Sequence, residues 1–314
     1  MTTPPPALLL VGHGTRDTAG AAAFRSFVAE LGAASPQLPV GGGFIELSPP
    51  PLADTVAGMV AAGVRDFAAV PLVLVSAGHA KGDIPAALAR EKLRHPGTSY
   101  AYGRPLGPHP GLLAVLERRV DEALAGTDRA AATVLLVGRG STDPDANAEV
   151  CKVARLLWEG RGYAGVETAF VSLAEPSVPA GLDRCRRLGA GTVVVLPYFL
   201  FAGVLPDRVR EQAATWAAAD GGADVRYADV IGPAPELAAL VWERYRETLA
   251  GDLRMNCDSC VYRVAMPGFE DRVGRPQQPH HHPDDPAHTH GGHGAHGGHS
   301  HGHHGEGHPH VHAG

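Results

Sequence analysis

The chain has 314 residues and a formal charge of −6 at pH 7, with 27 Lys and Arg against 33 Asp and Glu. That length predicts about two domains, and the acidic balance excludes a surface built to neutralise nucleic-acid phosphates. Four cysteines exclude a disulfide scaffold and point to a reducing cytoplasm. The longest apolar stretch, 193–206, is broken by Pro197 and falls short of the ~20 residues a membrane span needs, so no membrane role is expected. The N-terminal MTTPPPALLLVG has no basic region and too short an apolar run for a secretory signal.

The first element is the apolar run 8–11 (LLLV), which breaks into Gly12-His13-Gly14. Such a run bounded by glycine reads as a doubly buried strand of a parallel sheet. A helix over 19–31, a strand over 40–47, a helix over 52–63 and a third strand over 67–75 (FAAVPLVLV) follow. Asp83 is placed as the N-cap of the next helix, with Pro85 in its first turn. A short strand over 99–102 and a helix over 111–124 complete the unit. The order then returns: strands over 133–137, 166–173, 192–201 and 225–228, and helices over 144–158, 178–188, 206–219 and 235–249. LLVGRGSTD at 135–143 repeats the opening motif at an offset of 126, with Arg139 in the place of His13. Strands alternating with helices of this length imply βαβ units, hence two parallel sheets of about four strands each rather than one large doubly wound sheet. The expected division is 1–127, 128–253 and a tail from 254 to 314.

Several chemistries are absent from the sequence. It has no G-x-x-x-x-G-K-[ST] phosphate loop, no G-x-G-x-x-G fingerprint and no G-x-S-x-G elbow. Only four of the 18 histidines, His13, His79, His95 and His109, precede residue 250. His13 and His79 both sit just past predicted strand ends, where ligands of open α/β sheets gather. Neutral imidazole there suits a transition metal or a proton. His95 and His109, in proline-containing loops, read as structural. Glu46 ends the second strand, and Glu175 lies three residues beyond its place in the second unit. Either carboxylate could relay protons or orient an imidazole. Arg16, Lys81, Arg104 and Arg139 fall near the same rim, placed to pair with a polycarboxylate, as does Arg208.

LLLVGHGTRD, FIELSPP, PLVLVSAGHAKGDIP, LLVGRGS and VSLAEPS together resemble the CbiX-type sirohydrochlorin chelatases of the class II chelatase superfamily. The resemblance spans about 8–249 and continues into the tail. It implies a fold of two duplicated, chelatase-like parallel-sheet α/β domains facing a cleft. It also implies ATP-independent insertion of a divalent metal into sirohydrochlorin, with two metal-site histidines that map to His13 and His79. The second unit has Arg139 and Val204 or Leu205 at those places, so one site per chain is expected. Pro49 stands where Glu175 stands in the second unit, which leaves the choice between Glu46 and Glu175 open.

Past residue 253 the chain carries Met255-x-Cys257-x-x-Cys260 and then fourteen histidines over 280–312. Two thiolates complete neither a zinc site nor a cluster alone. Long CbiX-type proteins place this motif here, which implies an iron–sulfur cluster on Cys257 and Cys260, with a homodimer supplying four ligands. Cys151 and Cys185, on predicted helices, read as buried bystanders. The histidine-rich stretch lacks apolar side chains, so it is expected to stay disordered, and its composition suits Co2+, Ni2+ or Zn2+ storage or delivery. The tail suits Co2+ or Ni2+, and the resemblance to long CbiX forms implies cobalamin biosynthesis, so cobalt is the expected substrate metal, with iron or nickel as alternatives. A non-catalytic metal store and phosphoryl chemistry at the His13 turn are readings from other classes.

Overall fold

The computed structural model describes residues 4–220, 224–253, 262, 265 and 270–275. Cys257 and Cys260, and the histidine-rich stretch, lie outside the described residues. Two four-stranded parallel sheets form, in the orders β2-β1-β3-β4 and β6-β5-β7-β8. The first holds β1 (Ala7–Gly12), β2 (Val40–Phe44), β3 (Asp66–Pro71) and β4 (Ser99–Tyr102). The second holds β5 (Ala132–Gly138), β6 (Gly165–Phe170), β7 (Thr192–Pro197) and β8 (Asp224–Tyr227). Among the described residues no helix is long and apolar enough to cross a membrane.

The central strands are buried on both faces, as their unbroken apolar runs require. Successive side chains alternate between faces. Leu8 and Leu10 accordingly join one apolar cluster, and Leu9 and Val11 another. Val134 and Leu136 enter the same cluster as Leu8 and Leu10, so one core is common to both sheets.

That shared core arises because the halves exchange their fourth helices. The helices of the first half are α1 (Thr18–Ala34), α2 (Leu52–Ala61), α3 (Ile84–Arg94) and α4 (Pro110–Leu124). Those of the second are α5 (Pro144–Trp158), α6 (Val178–Arg187), α7 (Val204–Asp220) and α8 (Pro235–Ala250). Helix α4 packs on β7 and β8, whereas α8 packs on β3 and β4. The expected division after residue 127 therefore separates each fourth helix from the sheet it covers.

Two buried or half-buried arginines hold the exchange. Arg119 on α4 donates to the carbonyls of Val230 and Ile231. Arg244 on α8, offset by 125, donates to those of Pro105 and Leu106. Removing either guanidinium would leave two crossover carbonyls without those donors, and buried main-chain polar groups are costly to orphan.

Four strands stop short of their apolar runs. β3 and β7 end at Pro71 and Pro197, although the apolar sequences continue to Val75 and Phe201. Residues 72–75 and 198–201 leave the sheets and line a cleft instead. Their main chain is satisfied by the crossover loops: Leu106 and Gly107 donate to Val73 and Leu74, and Ile231 and Gly232 donate to Phe199 and Leu200. β2 and β6 likewise end at Phe44 and Phe170, before tight turns at Leu47 and Leu173.

Candidate metal centre

In each sheet the chain runs from the central strand to one neighbour and then returns to the other side, so a crevice opens at the carboxyl ends of β1 and β3. Ligands of open parallel sheets bind at such switch points. His13 follows β1, and His79 follows β3. The sequence thereby places both imidazoles at one point, through topology rather than proximity in the chain.

Local structure fixes each ring. The Asp17 carboxylate caps α1 by accepting from Gly20 N at 2.6 Å, which anchors the Gly12–Asp17 loop. Ser48 ties that loop to the next, accepting from Thr15 N and donating to Thr15 O. His79 opens a single π-helical turn, His79–Asp83, in which Ile84 N donates to His79 O. One-turn π insertions recur at functional sites because the extra residue redirects a side chain. Asp83 is not the N-cap expected from the sequence. Its backbone is already helical, and its buried carboxylate accepts from His79 Nδ1 at 2.6 Å.

These partners assign the tautomers. Nδ1 of His13 lies 3.1 Å from Gly14 O, a group that can only accept, so Nδ1 carries the proton. The Asp83 carboxylate makes the same assignment for Nδ1 of His79. Both Nε2 atoms are then lone pairs, and they face each other at 2.7 Å. Glu46 Oε1 lies 3.0 Å from the same His13 atom. The ring centroids are 3.9 Å apart at 78°. Two imidazole lone pairs and a carboxylate oxygen converging within 4.8 Å form a donor set for a transition-metal cation. Burial, the neighbouring His79 and Arg139 lower the His13 pKa to about 4, against the smaller raising effects of Gly14 O and Asp83. His13 is thus neutral, with its lone pair available, throughout the physiological range.

The centre opens on a cleft of about 710 Å³ with walls from both halves. Apolar side chains predominate, among them Leu47, Leu74, Leu173, Phe199 and Phe201. Arg16 and Arg139 supply positive charge on its lining.

Other expected site residues lie elsewhere. Lys81, expected at the substrate, is almost fully buried and bonds Asp143 and Asp145 at 2.7 and 3.1 Å. Burial alone would lower its pKa, but the two aspartates outweigh it and hold the ammonium above its ordinary value. Arg104 is not in the cleft wall either; it grips Glu247 of α8 through two bonds of 2.9 and 2.8 Å. Glu175 accepts from Ser177 N at 2.7 Å, outside the cleft lining, and takes no part in the histidine cluster. Arg208 is exposed on α7. His109 caps α4 through Gly111 N, and His95 sits at the carboxyl end of α3; neither joins the histidine cluster. Cys185 is buried, but Cys151 is exposed, contrary to its reading as a core residue.

Asp83 and Glu149 are the residues that sequence reasoning missed. The His79-x-x-x-Asp83 spacing was visible and would place both residues on one face of a helical turn. Glu149 on α5 accepts from Ser76 N at 2.9 Å, across 73 residues, and no local signal announces that pairing. Burial raises its pKa, partly offset by the Ser76 N–H bond.

Fold and site together define a two-lobed α/β protein with a cluster of His13, Glu46 and His79 that could hold a metal ion at the switch point of one lobe. The family model CbiX matches residues 7–123 and again 133–248, and the chain belongs to that family. A sirohydrochlorin cobaltochelatase of Priestia megaterium is 37% identical over 82% of this chain and 85% of its own length. A sirohydrochlorin ferrochelatase of Bacillus subtilis is 30% identical over 78% of this chain and 92% of its own. Among solved structures, SirB from Bacillus subtilis with Fe3+ superposes with a TM-score of 0.69 at 30% identity, covering 79% of this chain and 97% of its own. SirB in complex with cobalt does so at 0.65 and 28%, covering 79% and 96%.

Proposed function

We propose that this chain inserts a divalent metal, Co2+ foremost, into sirohydrochlorin without ATP. The observation that carries this reading is the pair of Nε2 lone pairs and the Glu46 carboxylate converging on a cleft large enough for a tetrapyrrole. Cobalt rests on the cobaltochelatase relative at 37% identity, although relatives described as ferrochelatases reach 33% and 30%. The histidine-rich composition of 280–312 suits cobalt or nickel rather than favouring iron.

Metal insertion exchanges one M2+ for two pyrrole protons. His13 and His79 hold the incoming ion at one face of the macrocycle, and Glu46 completes the donor set. As the ion passes to the pyrrole nitrogens, the three freed groups are bases placed to accept the departing protons. Asp83 holds the His79 ring in the orientation that aims Nε2 at the metal. Arg16 and Arg139 pair with the substrate's peripheral carboxylates.

The test is the visible spectrum of sirohydrochlorin mixed with Co2+ and the protein, without ATP, repeated with Fe2+ and Ni2+. A shift faster than the uncatalysed one and lost in His13→Ala supports the reading. Bound Co2+ with no pigment change above background replaces it with a metal store.

A further inference from the structure

Two exposed leucines hold the same unfavourable backbone at equivalent places of the two halves. Leu47 has φ 65° and Leu173 has φ 63°. Ser48 N donates to Glu46 O at 2.8 Å, and Ala174 N donates to Ser172 O at the same distance. A bond from residue i+2 back to i around a positive φ defines a γ-turn of the rare, strained kind. Such positive-φ backbone is disfavoured for leucine because its Cβ crowds the carbonyl, whereas Gly, lacking a Cβ, would occupy it readily.

The fold accommodates both turns deliberately. Gly14 and Gly140 lie under them, and a Cβ there would fall 1.8 Å from Glu46 O and 1.7 Å from Ser172 O. The second glycines of GHG and GRG therefore exist to admit the turn carbonyls. The leucines gain little from burial in return, being 48% and 61% exposed. Both line the same cleft, one from each half. Strain kept at an exposed apolar side chain points to a ligand that covers it.

We infer that Leu47 and Leu173 form an apolar clamp for the tetrapyrrole, one half contributing each jaw. The inference rests on the function proposed above. A tetrapyrrole carries its carboxylates on the periphery and presents apolar faces, so its faces suit leucine while its edge suits Arg16 and Arg139. The duplication explains why the turn persists in the second half, where the metal-binding side chains are replaced: a clamp needs two jaws, and the metal needs one centre.

The test uses Leu47→Asn, Leu173→Asn and the double variant in the full chain, with Leu93→Gln on α3 as an exposed control outside the cleft. Sirohydrochlorin binding is followed by quenching of its fluorescence without metal, and Tm is measured on the same samples. Asn keeps the same Cβ and a similar size at an exposed position, so Tm is expected to change by no more than about 2 °C. The dissociation constant is expected to rise about tenfold for each single variant, the scale of one lost aliphatic contact, and further in the double variant. Unchanged affinity in the double variant overturns the clamp. So does a Tm several degrees lower that accompanies the weaker binding, because the leucines would then be serving the fold. Failure of the wild-type chain to bind sirohydrochlorin at all would instead overturn the proposed function.

Discussion

The two halves share a scaffold and differ in the groups that could hold a metal. Both have an Asp N-cap after the first strand, Asp17 and Asp143. Both have a leucine γ-turn over a glycine, a cleft-lining segment after the third strand and a crossover held by an arginine from the exchanged helix. Yet His13 is answered by Arg139 and Glu46 by Ser172, while His79 is answered by Val204 or Leu205. Two of the three replacements, Arg139 and Val204 or Leu205, line the cleft wall. The lesson is that, among the described residues, the candidate metal donors are confined to one half, while the backbone that shapes the cleft is kept twice.

Substitutions in the metal half should break that contrast most strongly. His13→Ala and His79→Ala each remove a ligand and are expected to lower kcat/KM for Co2+ insertion about a thousandfold, or ~4 kcal/mol of transition-state stabilisation. Glu175→Ala in the other half is expected to change it less than about twofold, since among the described residues its carboxylate bonds Ser177 N of its own loop and lies outside the cleft lining. Steady-state kinetics on the three variants decide it; a large Glu175 effect would move the carboxylate role to the second half.

The bridge between halves comes next. Lys81→Met leaves Asp143 and Asp145 buried beside each other without their cation, which should cost about 3 kcal/mol of stability. Urea unfolding measures this directly. A loss well under 1 kcal/mol would mean the aspartates find another partner and the bridge is dispensable. Asp83→Asn keeps the shape around His79 but removes the orienting charge, and should weaken Co2+ affinity about tenfold to a hundredfold while Tm changes little. Isothermal titration with Co2+ provides the readout, and unchanged affinity would remove Asp83 from the centre.

The remaining effect concerns pH. An unperturbed histidine titrates near 6.5, whereas folded His13 titrates at about 4. Between those values the unfolded chain binds a proton that the folded chain refuses, so stability falls as pH drops from 6.5 towards 4 and is fully present above 6.5. Urea unfolding of wild type and His13→Gln across pH 4 to 7.5 should show a shallower loss in the variant. Parallel curves would place the pH dependence in other groups.

Much of this architecture is legible in the amino-acid sequence. The apolar runs at 8–11 and 133–137, their glycine ends and the offset of 126 require two parallel sheets, because only a doubly covered strand buries such a run. His13 and His79 follow from the same logic, since strand ends at a switch point are where ligands sit. Tertiary structure alone decided the rest. Residues 72–75 and 198–201 read as strand, since an apolar side chain facing a cleft and one facing a core look alike in sequence. Lys81 and Arg104 read as substrate contacts, and only the folded chain shows Asp143, Asp145 and Glu247 claiming them across 62 to 143 residues. The exchange of α4 and α8 is also invisible in sequence, because an amphipathic helix specifies that it needs an apolar partner and not which sheet provides it.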